Sequence, residues 1–177
     1  MTHHRIAIIG TGFSGLGMAI RLKQEGEQDF VLLERDSEVG GTWHVNTYPG
    51  CRCDVPSHLY SFSFAPNAEW SSTFSPQPEI LEYLCGVADR FGVRPHIRFD
   101  TELESAEWDS GEERWRIETS QGPLTADVLI AAQGPLSDPL IPDIPGLDSF
   151  EGTRFHSARW RARSFATSRF FRWTSRR

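Results

Sequence analysis

The sequence predicts an α/β fold: a Rossmann-like domain with a central parallel sheet and a small antiparallel β-meander. Three observations predict it. A short apolar run, Ile6-Ala7-Ile8-Ile9, leads into a glycine-dense turn over residues 10–17. An amphipathic helical stripe follows that turn, and a second apolar run, Phe30-Val31-Leu32-Leu33, follows the helix. An acid, Glu34, stands at the carboxyl end of that second run. Short apolar runs with turn signals on both sides are what strands buried on both faces look like.

The elements can be justified in order. Leu16, Met18, Ala19, Ile20 and Leu22 form the helical stripe, which ends near Gly26. Residues 36–76 read as a long loop broken by Gly40-Gly41, Pro49-Gly50, Pro56, Pro66 and Pro76. Its aromatics, among them Trp43, Tyr48, Tyr60 and Phe62, argue for an ordered, functional loop. Ile80, Leu81, Leu84, Val87, Ala88 and Phe91 predict a helix over 77–91. Ile97 to Phe99 reads as a third strand. Residues 102–109 and 113–119 read as an antiparallel pair joined through Asp109-Ser110-Gly111-Glu112. Thr125 to Ala131 is the last strand, and an extended connector with Pro139, Pro142 and Pro145 follows it.

The 177 residues suffice for one domain with a real core. No apolar run approaches the ~20 residues of a membrane span, and the first residues lead straight into a strand. A cytoplasmic protein with no membrane and no nucleic-acid partner is therefore expected. Cys51, Cys53 and Cys85 are too few and too irregular for a disulfide framework. No further Cys or His cluster completes a metal site around Cys51-x-Cys53, so no metal is expected. The net charge of −6 hides an asymmetry: residues 161–177 carry six arginines and no acid.

The chemistry is concentrated in Gly10-Thr11-Gly12-Phe13-Ser14-Gly15, a G-x-G-x-x-G. The first glycine permits a tight turn, the second lets backbone approach a pyrophosphate, and the third lets helix and strand pack closely. The helix amino end then faces the phosphates with free N–H groups. Glu34 lies 19 residues beyond Gly15, where a carboxylate can accept bonds from ribose hydroxyls. Gly10, Gly12, Phe13, Ser14, Gly15, Glu34 and its neighbour Arg35 are thus candidate dinucleotide-binding residues. A glycine-rich turn beside a surface glutamate is the bland reading, and it does not require the strand–turn–helix–strand order.

The loop after Glu34 selects among dinucleotides. Val39-Gly40-Gly41-Thr42-Trp43, then Tyr48-Pro49-Gly50-Cys51-Arg52-Cys53-Asp54, resembles the flavin-containing monooxygenases, and within them the Baeyer–Villiger type. Tyr60-Ser61-Phe62-Ser63-Phe64 and Phe74-Ser75-Pro76 add to it, so that the resemblance covers residues 5–160. It implies FAD as the cofactor. It places Gly41, Thr42, Trp43, Arg52 and Asp54 along FAD, with Asp54 near the reactive edge of the flavin as a candidate catalytic residue. A buried carboxylate there could orient an arginine or the nicotinamide. Trp43 could instead be a core aromatic, and Asp54 a turn acid. Tyr60 and Leu103 match positions that contact FAD in such proteins, Leu103 through backbone alone. Ile130-Ala131-Ala132-Gln133-Gly134 resembles the second FAD element, with Gln133 departing from the usual Thr and Gly134 kept.

Phe150, Gly152, His156 and Trp160 match the Baeyer–Villiger fingerprint F-x-G-x-x-x-H-x-x-x-W, although Arg161 departs from the Pro or Asp that follows. The resemblance implies an oxidoreductase in which NADPH reduces FAD, O₂ adds at flavin C4a, and the peroxide attacks a ketone-like substrate. Such proteins continue into a second G-x-G-x-x-G that binds NADPH, whereas here no glycine follows Gly152. The expected organisation is an incomplete FAD-binding domain over 1–149, a fingerprint linker over 150–160, and a basic, disordered tail over 161–177. The NADPH-binding domain is expected to be absent, the chain carboxyl-terminally truncated, and the tail a frameshift product. A basic tail that contacts a partner is the alternative. Two further functions compete. One is a non-catalytic flavin-binding subunit completed by another chain. The other is a pyridine-nucleotide disulfide reductase, which wants a redox C-x4-C; Cys51 and Cys53, near ~7 Å apart in an extended chain, sit at the limit for a disulfide.

Overall fold

The computed structural model describes residues 1–136, 138–152 and 154–160; the tail expected to be disordered, 161–177, lies outside them. Each expected element is present. Strand β1 spans Thr2–Ile9, helix α1 Phe13–Gln24 and strand β2 Phe30–Leu33. A short helix α2 covers Thr42–Val45, and α3 covers Gln77–Arg90. Strands β3 (Ile97–Arg98), β4 (Leu103–Asp109), β5 (Arg114–Thr119) and β6 (Leu124–Ala131) complete the set. β1 begins earlier than its apolar run because Thr2, His3 and His4 pair with Leu124, Thr125 and Ala126. Thr2, His3 and His4 are polar, so an apolar run cannot find them.

The sheet has six strands in the order β3-β2-β1-β6-β5-β4. β3, β2, β1 and β6 run parallel, while β5 and β4 run antiparallel beyond them. The meander is thus not a separate layer: β6 belongs to both halves. The chain leaves β1 toward β2 on one side and returns to β6 on the other. The carboxyl end of β1 is therefore a topological switch point, where parallel sheets open a crevice.

Alternation along the strands divides the core. Ile6, Ile8, Phe30 and Leu32 pack with Leu16 and Ile20 of α1 and with Ile80 and Leu84 of α3. The alternate residues Ala7, Ile9, Val31 and Leu33 pack with Ile117, Leu124 and Ala126. Burying each large aliphatic side chain contributes roughly 1.5–3 kcal/mol, which holds α1 and hence the glycine turn against β1.

The long loop is ordered by hydrogen bonds and rings. Cys53 N–H donates to the Ser75 carbonyl, and Gln77 N–H to the Cys51 carbonyl, both at 3.0 Å. The buried Ser57 hydroxyl lies 2.7 Å from that of Ser75. Tyr83 of α3 accepts from Phe62 N–H and donates to the Ala65 carbonyl, each at 2.8 Å. Among the described residues no helix is long and apolar enough to cross a membrane.

Candidate functional site

The switch point is built from three loops. The first is the glycine turn. Gly10 has φ +97°, and a Cβ on Gly15 would lie 1.9 Å from the Gly10 carbonyl oxygen. These two glycines therefore let α1 meet β1. Gly12 is different. Its φ of −72° is ordinary, and the nearest protein atom to a Cβ there, Gly41 Cα, is 3.9 Å away. Neither its backbone conformation nor its contacts within the protein demand glycine at position 12.

Gly12 caps α1 with no side-chain cap bond, and the first turn holds no acid. The first intrahelical bond runs from Leu16 N–H to the Gly12 carbonyl. The N–H groups of Phe13, Ser14 and Gly15 precede it and point out of the helix. Together with the helix dipole they can attract an anion, and Gly12 leaves room there for a Cβ-sized group.

The second loop follows β2. Glu34 is 5% exposed. Its Oε2 accepts from Thr11 N–H at 3.0 Å and from the Thr11 hydroxyl at 2.5 Å, and its Oε1 accepts from Asp36 N–H at 3.0 Å. Arg35 leaves in another direction and pairs with Asp138 at 2.6 Å. Asp138 beside it strengthens protonation of the guanidinium, and Arg35 in turn holds the Asp138 carboxyl below the usual carboxylate range. Thr101 N–H donates to the Glu34 carbonyl at 2.8 Å, bringing the start of β4 and Leu103 alongside.

The third loop is Gly40-Gly41-Thr42-Trp43. Gly40 N–H donates to the Thr11 carbonyl at 3.0 Å, which sets Gly41 against Gly12. Trp43 is 8% exposed and belongs to the core cluster. Its Nε1 donates to the Tyr60 hydroxyl at 3.1 Å, and the Tyr60 ring sits edge-on to Phe13 at 4.9 Å. Burial pushes the Tyr60 phenol above its ordinary pKa.

The remaining candidates divide. Ala132 N–H donates to the Ile9 carbonyl at 2.9 Å, so the chain leaving β6 passes Gly10, and Gly134 follows at φ +69° with open space around it. Arg52 donates to the Phe74 carbonyl at 3.0 Å. Asp54 is exposed. The expectation of a buried carboxylate at Asp54 therefore needs correction: Cys53 turns inward and its neighbour outward, as alternation in an extended segment requires. In the fingerprint segment, Phe150 lies over Gly152, where a Cβ would meet its ring at 2.3 Å. His156 Nδ1 accepts from Ala158 N–H at 3.1 Å, which leaves the proton on Nε2. Phe155 and Trp160 pack edge-on at 5.0 Å.

Two partners escaped the sequence reading: Thr11, a variable position inside the motif, and Asp138, 103 residues from Arg35. A hydroxyl next to a motif glycine is a weak signal for the first; nothing local marks the second.

With this geometry in view, the comparisons with known proteins are direct. The pyridine nucleotide-disulphide oxidoreductase profile matches residues 7–170. The chain belongs to that family. Within it, the resemblance is to monooxygenases. A Baeyer–Villiger monooxygenase of Streptomyces coelicolor is 65% identical over 89% of this chain and 30% of its own length. One from Pseudomonas aeruginosa is 49% identical over the same shares. Among solved structures, an oxidised steroid monooxygenase bound to NADP superposes with a TM-score of 0.81 at 42% identity, covering 92% of this chain and 32% of that one. A closed cyclohexanone monooxygenase gives 0.83 at 38% identity, again over 92% and 32%. The chain spans about 30% of the length of the curated relatives it matches. The family takes its name from disulphide reductases, yet Cys51 and Cys53 are not joined in a disulphide here, and burial pushes the Cys53 thiol pKa up.

Proposed function

We propose that the chain binds FAD and forms the flavin-holding portion of an NADPH- and O₂-dependent monooxygenase of the Baeyer–Villiger type, acting on ketone-like substrates in the cytoplasm. The observation that carries the reading is a glycine at position 12 that the fold does not need, at the uncapped amino end of α1 and beside a buried carboxylate. That combination fits a pyrophosphate with a ribose attached.

The residues take distinct tasks. Phe13, Ser14 and Gly15 hold the pyrophosphate through backbone N–H groups. Glu34 accepts from the ribose hydroxyls, with Arg35 beside the adenosine. Gly41, Thr42 and Trp43 line the path toward the flavin, and Tyr60 backs Trp43. Leu103 and Gly134 contribute backbone. Arg52 and Asp54, both on the exposed side of their loop, are assigned to the outer edge of the flavin site. When bound, FAD would supply the redox chemistry between NADPH and O₂. The chain's own contribution is to bind and orient it. We assign residues 1–149 to this FAD-binding part and 150–160 to a fingerprint linker.

A second reading, a flavin-binding subunit completed by another chain, is favoured by one observation. Val128 is 46% exposed although it lies on an inner strand, paired with Ile6.

Titrating the purified chain with FAD, followed by fluorescence quenching, is expected to saturate. FMN, which lacks the ADP half, should bind at least ~10-fold more weakly, because it forgoes the charge-assisted bonds at the helix terminus and at Glu34. Equal affinity for the two flavins, or no saturable binding of either, would sink the reading.

A further inference from the structure

We infer that Thr11 is a positioning residue for the ribose: its hydroxyl fixes the Glu34 carboxylate so that one oxygen is filled by protein donors and the other, bonded once, keeps one acceptor direction for the cofactor. The inference rests on the FAD reading above and assigns a role to a motif position that has no fixed identity in G-x-G-x-x-G.

Both groups are buried, Thr11 fully and Glu34 to 5% exposure. Oε2 accepts twice, from the Thr11 N–H and hydroxyl. Those two bonds fill its lone pairs. Oε1 accepts once, from Asp36 N–H, and keeps one lone pair. The carboxylate thus has three neutral donors and a single open acceptor direction. A carboxylate's terminal torsion is broad and nearly two-fold. With only one backbone bond to each oxygen it could rock about that torsion. The hydroxyl removes that freedom before the ligand arrives, and preorganisation of this kind is realised as affinity for the group that completes the set.

Thr11 is also the place where the three loops of the site meet. Its carbonyl accepts from Gly40 N–H at 3.0 Å. Its side chain reaches the end of β2, and its backbone lies within the turn that opens α1. A hydroxyl that merely satisfied itself would need only one acceptor anywhere. Here it is directed to Glu34, the one buried acid among the described residues.

The test is a cycle between protein and ligand. The unaltered chain, Thr11→Val and Thr11→Ser are each titrated with FAD and with an FAD analogue carrying 2′,3′-dideoxyadenosine. A hydrogen bond to a charged acceptor implies that the unaltered chain prefers FAD by about 10-fold or more. Thr11→Val should reduce that preference to about 3-fold or less, and Thr11→Ser should restore it. A preference unchanged in Thr11→Val overturns the inference. So does an equal loss of affinity for both ligands, which would make the residue structural. If Thr11→Val does not fold, judged by far-UV circular dichroism, Thr11→Ala is read in the same way; failure of both to fold assigns Thr11 to stability and also overturns the inference. No binding of either ligand by the unaltered chain is a different result, because it overturns the FAD reading itself.

Discussion

At the scale of single residues, the three motif glycines are not equivalent, and the difference can be measured. A methyl on Gly15 would enter the Gly10 carbonyl, and backbone cannot yield there. Gly15→Ala should therefore destabilise the fold by about 3 kcal/mol or more. A methyl on Gly12 meets no protein atom within 3.9 Å. Gly12→Ala should leave thermal unfolding nearly unchanged and weaken FAD binding by about tenfold or more, since it stands where the pyrophosphate must approach. Thermal melts paired with FAD titrations separate the two. A Gly12→Ala variant that unfolds like Gly15→Ala, or that binds FAD as before, would contradict the assignment. The spacing of the glycines is legible in the sequence; which of them serves the protein and which the ligand is not, because that depends on where Ala132, Gly41 and the Gly10 carbonyl come to rest.

At the scale of elements, the long loop shows how aromatic content becomes order. Trp43 bonds to Tyr60, Tyr60 packs on Phe13 at the start of α1, and Tyr83 ties Phe62 and Ala65 to α3. This joins the loop to both helices. Burial raises the Tyr60 and Tyr83 phenols above the ordinary value, against the smaller lowering effects of the Trp43 and Phe62 bonds. The sign follows from linkage. A folded pKa above the unfolded one means that the folded state holds the proton more tightly. The stability this represents is fully present below about pH 10, the unfolded value, and is lost as pH rises through the folded values. Urea unfolding should give a decline that begins near pH 9, where the raised Cys53 and Cys85 thiols start to titrate in the unfolded chain, and steepens above about pH 10, and Tyr60→Phe with Tyr83→Phe should flatten the part above pH 10. An alkaline decline of the same size in the double variant would show that other groups carry it. The loop's aromatics announced an ordered segment; their pairing was not readable, since partners such as Phe62 and Tyr83 lie 21 residues apart across a helix boundary.

At the scale of the whole molecule, the switch point of the sheet bears on activity. The described residues bring one candidate dinucleotide site to the carboxyl end of β1, and the chain spans about 30% of the length of the curated relatives it matches. The 177-residue chain alone is therefore expected to bind FAD without catalysing NADPH-dependent oxygenation of a ketone. NADPH consumption that keeps pace with ester formation by the purified chain would refute this. A catalytic site of this chemistry also needs water excluded from the flavin, and the open surroundings of Gly134 and the exposed Asp54 show how little of such an enclosure these residues make by themselves.

What the sequence by itself determined is whatever repeats or recurs at short range. The apolar runs of β1, β2 and β6, the helical stripes of α1 and α3, and the glycine spacing followed by an acid all express periodicities of 2.0 and 3.6 or fixed local offsets, and these survive in any context that buries them. The tertiary structure alone decided the rest: that the meander shares β6 with the parallel strands, that Arg35 turns to Asp138, that Asp54 faces solvent, and that Thr11 holds Glu34. Each depends on which segments meet across 20 to 100 or so residues of chain. Side-chain hydrogen bonds carry no period, and a buried carboxylate takes its donors from whatever the packing brings within reach.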